Sequence, residues 1–143
     1  MGSVEGITLV KDASGAIERV DAVRAETGAG LEGDYHDDLT LIAAEALEDL
    51  ERDTGISLAG HDTRRNVLTR GIDLNALLGQ RFTVGEVEAV GVEIAEPCTK
   101  LQRLSGEPGV LRGLVHRAGL RADVVSSGQI RVGDAVSARD AGR

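Results

Sequence analysis

Cys98 is the only cysteine in 143 residues, and it stands in the run Glu96-Pro97-Cys98-Thr99-Lys100-Leu101. A thiolate attacks electrophiles and binds soft metals, and nearby positive charge lowers a thiol pKa from about 8.5. Lys100 and Arg103 supply such charge close behind it in sequence. Two readings are open at this point. Cys98 is either a reactive thiol supported by Lys100 or a small packed hydrophobe, as most free cysteines are.

Two other stretches carry chemistry-bearing side chains. The run His61-Asp62-Thr63-Arg64-Arg65-Asn66-Val67-Leu68-Thr69-Arg70-Gly71 places three arginines in seven residues of an otherwise acidic chain. Guanidinium forks bind carboxylate or phosphate through paired donors, so this run is either an anion pocket or a set of surface salt bridges. The run Thr27-Gly28-Ala29-Gly30-Leu31-Glu32-Gly33-Asp34-Tyr35-His36-Asp37-Asp38 is rich in glycine. It is either a mobile surface loop or a backbone in conformations closed to other residues, approaching a ligand. His36 lies among Asp34, Asp37 and Asp38, but His61 and His116 stand at no ligand spacing from it. No dedicated zinc site is expected.

The elements that must position these residues follow from periodicity. Val4 to Val10 and Ala16 to Val23 read as strands joined by the hairpin loop Asp12-Ala13-Ser14-Gly15. A short strand over Leu39 to Ile42 leads into a helix over residues 43–54, where Ala43, Ala46, Leu47 and Leu50 share one face and Gly55 ends it. Leu74 to Leu78 reads as a single helical turn closed by Gly79. Arg81 to Val84 and Val87 to Ile94 are strands about the Gly85-Glu86 turn, and Pro97, lacking an amide hydrogen, ends the second. A second helix is expected over residues 108–118, opened by Pro108 and closed by Gly119. Leu120 to Val125, Gln129 to Val132 and Ala135 to Ala138 are short strands, and residues 140–143 read as a frayed tail. Many short strands with glycine turns predict a mainly β, α+β fold: a mixed closed β-barrel with two flanking helices. Residues 1–143 form one domain.

Composition narrows the function. Hydrophobic residues at 41% give a globular chain, while one Phe, one Tyr and no Trp leave the core to aliphatic side chains. The same scarcity removes stacking platforms for single-stranded nucleic acid. A net charge of −8 opposes a phosphate backbone or an anionic membrane, so neither nucleic acid nor membrane is an expected partner. One cysteine permits no internal disulfide, and the first residues carry no basic segment followed by an apolar run. A cytoplasmic location is the expectation.

The order of motifs resembles the MOSC domain, named after the C-terminal part of molybdenum cofactor sulfurases. The resemblance rests on Gly30 to His36, Arg64-Arg65-Asn66-Val67 with Gly71-Ile72-Asp73, and Gly79 to Gly85. It continues through Glu96 to Leu101, Gly119 to Val124, and Gly128 to Asp134, so that it spans residues 28–136. It implies a mixed barrel with the cysteine at the mouth of a cleft, and two possible roles for Cys98. In one, Cys98 carries sulfur as a persulfide, received from a pyridoxal-phosphate-dependent cysteine desulfurase and passed to a cofactor, a metal centre or a small molecule. In the other, Cys98 ligates molybdenum in a pterin cofactor, and the protein reduces N-hydroxylated substrates. A third reading, a non-catalytic interaction domain, stays open.

The mapping makes Cys98 and Lys100 the candidate catalytic pair. Gly33, Asp34, His36, Arg65, Asn66, Thr69 and Arg121 become candidate substrate- or cofactor-binding residues. The chain shows no cysteine run for an iron–sulfur cluster and no domain of its own for pyridoxal phosphate. No tightly bound cofactor is therefore expected, with molybdenum cofactor as the alternative and pyridoxal phosphate held only by a partner.

Overall fold

A computed structural model describes residues 1–95 and 117–138. Strands β1 (Gly2–Val10) and β2 (Ile17–Val20) form the expected hairpin, with Ile7 opposite Val20 and Val10 opposite Ile17. Its turn is set by Asp12, whose Oδ1 accepts from the Ser14 amide at 2.9 Å.

The predicted strand over 16–23 is in fact two strands. The chain breaks at Asp21, and β3 (Ala22–Glu26) joins a separate three-stranded sheet with β4 (Gly30–Leu31) and β10 (Gly128–Arg131). The reason lies in burial: Val23 and Ala25 pack with Leu31 and Ile130 into the main core. The glycine-rich run also departs from a loose loop, since it contains β4. Gly30 has φ +72°, and a Cβ there would fall 2.7 Å from the Asp38 carbonyl oxygen.

The main sheet contains β5 (Leu39–Ala43), β6 (Val67–Arg70), β7 (Arg81–Val84), β8 (Val87–Ile94), β9 (Leu120–Ser126) and β11 (Ala135–Ala138). The order β1-β6-β5-β9-β8-β7-β11 closes through β11 pairing with the start of β1, which makes a seven-stranded barrel; β2 hangs on the other half of β1. Only β5 and β6 run parallel among these pairs, so the barrel is mixed. Inward residues such as Leu39, Leu41, Val67, Phe82, Val84, Val87, Leu120 and Ala122 form its core. The strand β6 lies inside the basic run and was not expected there, although Val67 and Thr69 alternate inward along it.

Helix α1 (Ala44–Thr54) buries Ala44, Ala46, Leu47 and Leu50. Ala43 ends β5 and is the N-cap residue of the helix. Leu47 and Leu50 form a second core with Ile42 and Ala118 on the outside of the wall, and partly buried Leu68 packs against it. Gly55 ends the helix at φ 78° with its amide donating to the Glu51 carbonyl. Leu74–Leu77 is a single 3-10 turn, as the predicted helical turn requires, and Gly60–Thr63 is another. The helix expected over 108–118 and the tail 140–143 fall almost wholly outside the described residues.

Candidate functional site

Alternation along β5, β8 and β9 decides what the outer wall offers. Leu39, Leu41, Leu120 and Ala122 face the core, so Thr40 and Arg121 point outward. Register sets Thr40 opposite Arg121, and Arg121 opposite Glu93. The three lie across adjacent strands as a polar row. Arg121 Nε donates to Glu93 Oε1 at 2.9 Å, and its Nη1 lies 3.6 Å from Asp38 Oδ2. The bond to Glu93, helped by charge from Glu93 and Asp38, raises the Arg121 pKa, so this guanidinium stays charged.

A cleft of about 280 Å³ opens over this row, lined by His36, Asp38, Thr40, Arg64, Arg65, Glu93, Ala95 and Arg121. Three of the candidate residues, His36, Arg65 and Arg121, meet here. The cleft lies on the outer face of the wall, beside the end of β8, rather than inside a barrel opening.

Asp34 and Asn66 build its foundation. The Asp34 side chain is 0% exposed. Its Oδ1 accepts from the Val10 amide at 2.6 Å and from Asn66 Nδ2 at 3.0 Å, and its Oδ2 accepts from the His36 amide at 3.0 Å. Asn66 uses both ends of its amide. Its Oδ1 accepts from the Thr40 amide and hydroxyl, each at 3.1 Å, and its Nδ2 also donates to the Thr8 carbonyl at 3.0 Å. These buried groups are satisfied by protein partners and act as a brace between β1, β5 and β6. Gly33, at φ +87°, opens the turn that carries Asp34 back to β1. Thr69 is fully buried in β6, where its hydroxyl donates to the Ile42 carbonyl at 3.4 Å, and it stands apart from the cleft. His36 sits at the rim with 56% of its side chain exposed and Nδ1 3.6 Å from Asp34 Oδ2. Tyr35 lies edge-on to it at 5.0 Å.

The three arginines of the basic run part company. Arg70 bridges Glu5 on β1 and Glu48 on α1, and those contacts raise its pKa and lower that of Glu48. It therefore follows the surface salt-bridge alternative. Arg64 is the one described non-glycine residue with positive φ, at 59°, and its side chain donates to the Gly15 and Asp62 carbonyls at 3.2 and 3.0 Å. Arg65 Nε donates to the Ala118 carbonyl at 2.8 Å. Two guanidinium groups are thus tied at least in part to main-chain oxygens.

Asp38, Thr40, Arg64 and Glu93 line the cleft although they were not among the candidates. Asp38 belongs to the acidic run around His36, a signal that was available. Thr40 and Glu93 are brought in by cross-strand register, which has no local signature. Cys98 and Lys100 lie outside the described residues.

The described donors fit some groups and not others. With Arg121 held by Glu93 and Asp38, the cleft offers both signs of charge and suits a small polar or zwitterionic molecule better than a dianionic phosphate. Among the described residues, no three His, Cys, Asp or Glu side chains converge as a metal-binding group. Lys11 pairs with Glu18 on the surface at 3.4 Å, which does not fit a lysine holding pyridoxal phosphate. A larger hollow of about 410 Å³ lies between α1 and the turn at residues 71–75. There Glu45 Oε2 accepts from the Gly71 amide at 2.7 Å, while Oε1 is buried without a partner among the described residues. It gathers none of the described candidate residues.

The MOSC domain profile matches residues 30–137. Among curated proteins, no sequence matches. The YuaD protein from Bacillus subtilis superposes with TM-score 0.84 at 16% identity, over 96% of each chain. YiiM from Geobacillus stearothermophilus gives TM-score 0.77 at 14% identity, over 99% of this chain and 77% of its own. YiiM from Escherichia coli gives 0.71 at 19%, over 96% and 70%. At such identities the likeness is one of fold.

Proposed function

The chain belongs to the MOSC domain family, and on that footing we propose that it handles sulfur through Cys98, its single thiol. The observation that supports this most is the cleft at the end of β8. Ala95 lines it, and Cys98 follows Ala95 by three residues in sequence. Three extended residues span about 11 Å at most, which bounds how far along the chain Cys98 stands from Ala95.

The chemistry needs no external oxidant. The Cys98 thiolate attacks the outer sulfur of a donor persulfide, an S–S bond breaks, and the donor leaves as its thiolate. Cys98 then holds a persulfide, whose outer sulfur is attacked by an acceptor nucleophile, returning the Cys98 thiolate. Lys100 is the candidate cation that favours the thiolate at each stage. A persulfide-forming enzyme of the cysteine desulfurase type fits as donor. A cofactor precursor, a metal centre or a small molecule fits as acceptor, and the mixed charge of the cleft suits a polar or zwitterionic one.

Intact mass and metal content of the protein as isolated provide the test. The expected result is a fraction heavier by one sulfur, returned to the plain mass by a thiol reductant and absent from Cys98→Ser. Alkylation of Cys98 by iodoacetamide, followed against pH, should give an apparent pKa below about 8.5. Stoichiometric molybdenum would replace this reading with that of a pterin–molybdenum protein. A thiol that alkylates sluggishly, with an apparent pKa above about 9, would make Cys98 a packed residue.

A further inference from the structure

We infer that the hollow between α1 and the turn at residues 71–75 binds a small organic cation, a primary ammonium on a short aliphatic body. This hollow shares no described lining residue with the cleft over Arg121. The inference therefore stands apart from the sulfur-handling reading.

The observation that carries it is a carboxylate satisfied at one oxygen only. Glu45 stands in the first turn of α1, and its Oε2 accepts from the Gly71 amide at 2.7 Å. That bond holds the carboxylate between the helix and the turn. Its Oε1 is shut off from bulk water and has no hydrogen-bond partner among the described residues. A buried acceptor left unmet is costly, and more so when it carries charge, so a donor is the partner this oxygen lacks. The terminal torsion of a glutamate is broad, and a slight turn offers Oε1 to a donor lodged in the hollow.

The lining decides what kind of donor fits. Three carboxylates, Glu45, Asp49 and Asp73, border the hollow against one guanidinium, Arg117. Arg117 Nη1 stands 4.0 Å from Asp49 Oδ2, and its Nη2 is drawn to Asp53 at 3.5 Å. The balance of charge stays negative. A helix N-terminus attracts anions, but here Glu45 already meets that end of the dipole. Among the described residues the three carboxylates do not converge as a metal-binding group, whereas a hard divalent ion gathers about six oxygens around itself. An ammonium asks for less: one well-placed acceptor and a negative surrounding field. Ala46 and Ile72 offer an apolar side for methylene groups, and a volume of about 410 Å³ admits such a molecule.

The test titrates n-butylammonium chloride into the isotope-labelled full chain at fixed ionic strength and follows the Gly71 and Ala46 amides by NMR. Saturable shifts with a Kd of about 1–10 mM are expected, the range open to so few heavy atoms. Neutral 1-butanol and anionic butyrate should bind at least about tenfold more weakly. Glu45→Gln keeps an oxygen for the Gly71 amide but replaces the other with a donor, and it should weaken butylammonium by about tenfold or more. Asp73→Asn keeps an oxygen to cap the Asn75 amide and should weaken it about two- to threefold. If Glu45→Gln gives no cooperative melt, Asp73→Asn decides the matter, and an unchanged Kd there overturns the inference. Equal binding of 1-butanol would make the hollow merely apolar. Butyrate moving the same amides would make it an anion site at the helix end, and calcium chloride saturating them at lower concentration would make it a metal site. Each of these results overturns the inference, as does a butylammonium Kd above about 50 mM or one unaltered in Glu45→Gln.

Discussion

Asn66 and Arg65 are neighbours in sequence, but Asn66 is buried beneath the cleft while Arg65 lines it. Asn66 is 3% exposed and serves three chain segments at once, through Thr40, Thr8 and Asp34. Asparagine suits the position because it has both a donor and an acceptor. Asn66→Asp keeps the shape but removes the donor, and it sets a second carboxylate against Asp34. Each buried group left unsatisfied costs about 1–3 kcal/mol, so a loss of about 2–4 kcal/mol is expected by urea unfolding at neutral pH. A loss under about 0.5 kcal/mol would show that the brace does not hold the wall. The basic run looked like a single feature because its arginines are close in sequence. The side chains of Arg70, Arg64 and Arg65 reach an acidic pair, two main-chain carbonyls and the Ala118 carbonyl, respectively.

At the scale of elements, α1 is held mainly by an apolar stripe. Its N-cap, Ala43, makes no side-chain hydrogen bond, and its exposed face adds ion pairs of the weak surface kind. Leu50 is 0% exposed in the outer core. Leu50→Ala should cost about 2–4 kcal/mol, read as a lower urea midpoint, and should loosen the contact with Ala118. The hydrogen exchange of α1 would report that loosening directly. Gly119→Ala tests the other side of the same junction, where the backbone angle and the Leu41 carbonyl both oppose a side chain. A soluble, normally melting Gly119→Ala protein would mean that the backbone at Gly119 can yield, which the packing on β5 argues against.

For the molecule as a whole, three described surface carboxylates respond to acid through their partners. The Glu26 pKa is lowered first by its bond from Arg24, that of Glu48 by Arg70, and that of Glu86 by the Gln129 amide. A carboxylate with a folded pKa below its unfolded value adds stability above about pH 4.3. That stability is lost as the pH falls through the lower folded value. All three are exposed, so the effect is small and screened by salt. Melting temperatures of wild type and Glu48→Gln should differ most at neutral pH and low salt, and converge toward pH 3. A difference that ignores both pH and salt would mean that the Arg70 contacts work through packing instead. No helix among the described residues is long and apolar enough to cross a membrane.

Several features needed only the local chain. The hairpin at Asp12–Gly15, the apolar stripe and glycine stop of α1, and the turn at Leu74–Leu77 depend on residues a few positions apart, whose sterics and hydrogen bonds are decided locally. The order of motifs around Pro97-Cys98 carried the family, and the number of short strands carried the closed barrel. Other features depended on partners far away in sequence. The break at Asp21 came from Val23 and Ala25 finding Leu31 and Ile130, and β6 came from a parallel seat beside β5. The cleft came from register, which sets Thr40, Arg121 and Glu93 side by side from three separate strands. A side chain in a strand faces one side or the other by its parity alone, but its neighbours across the sheet are chosen by how the whole barrel closes. Local patterns therefore reached the family and the class of fold, while only the tertiary structure decided which charges stand together and that Arg65 reaches the Ala118 carbonyl.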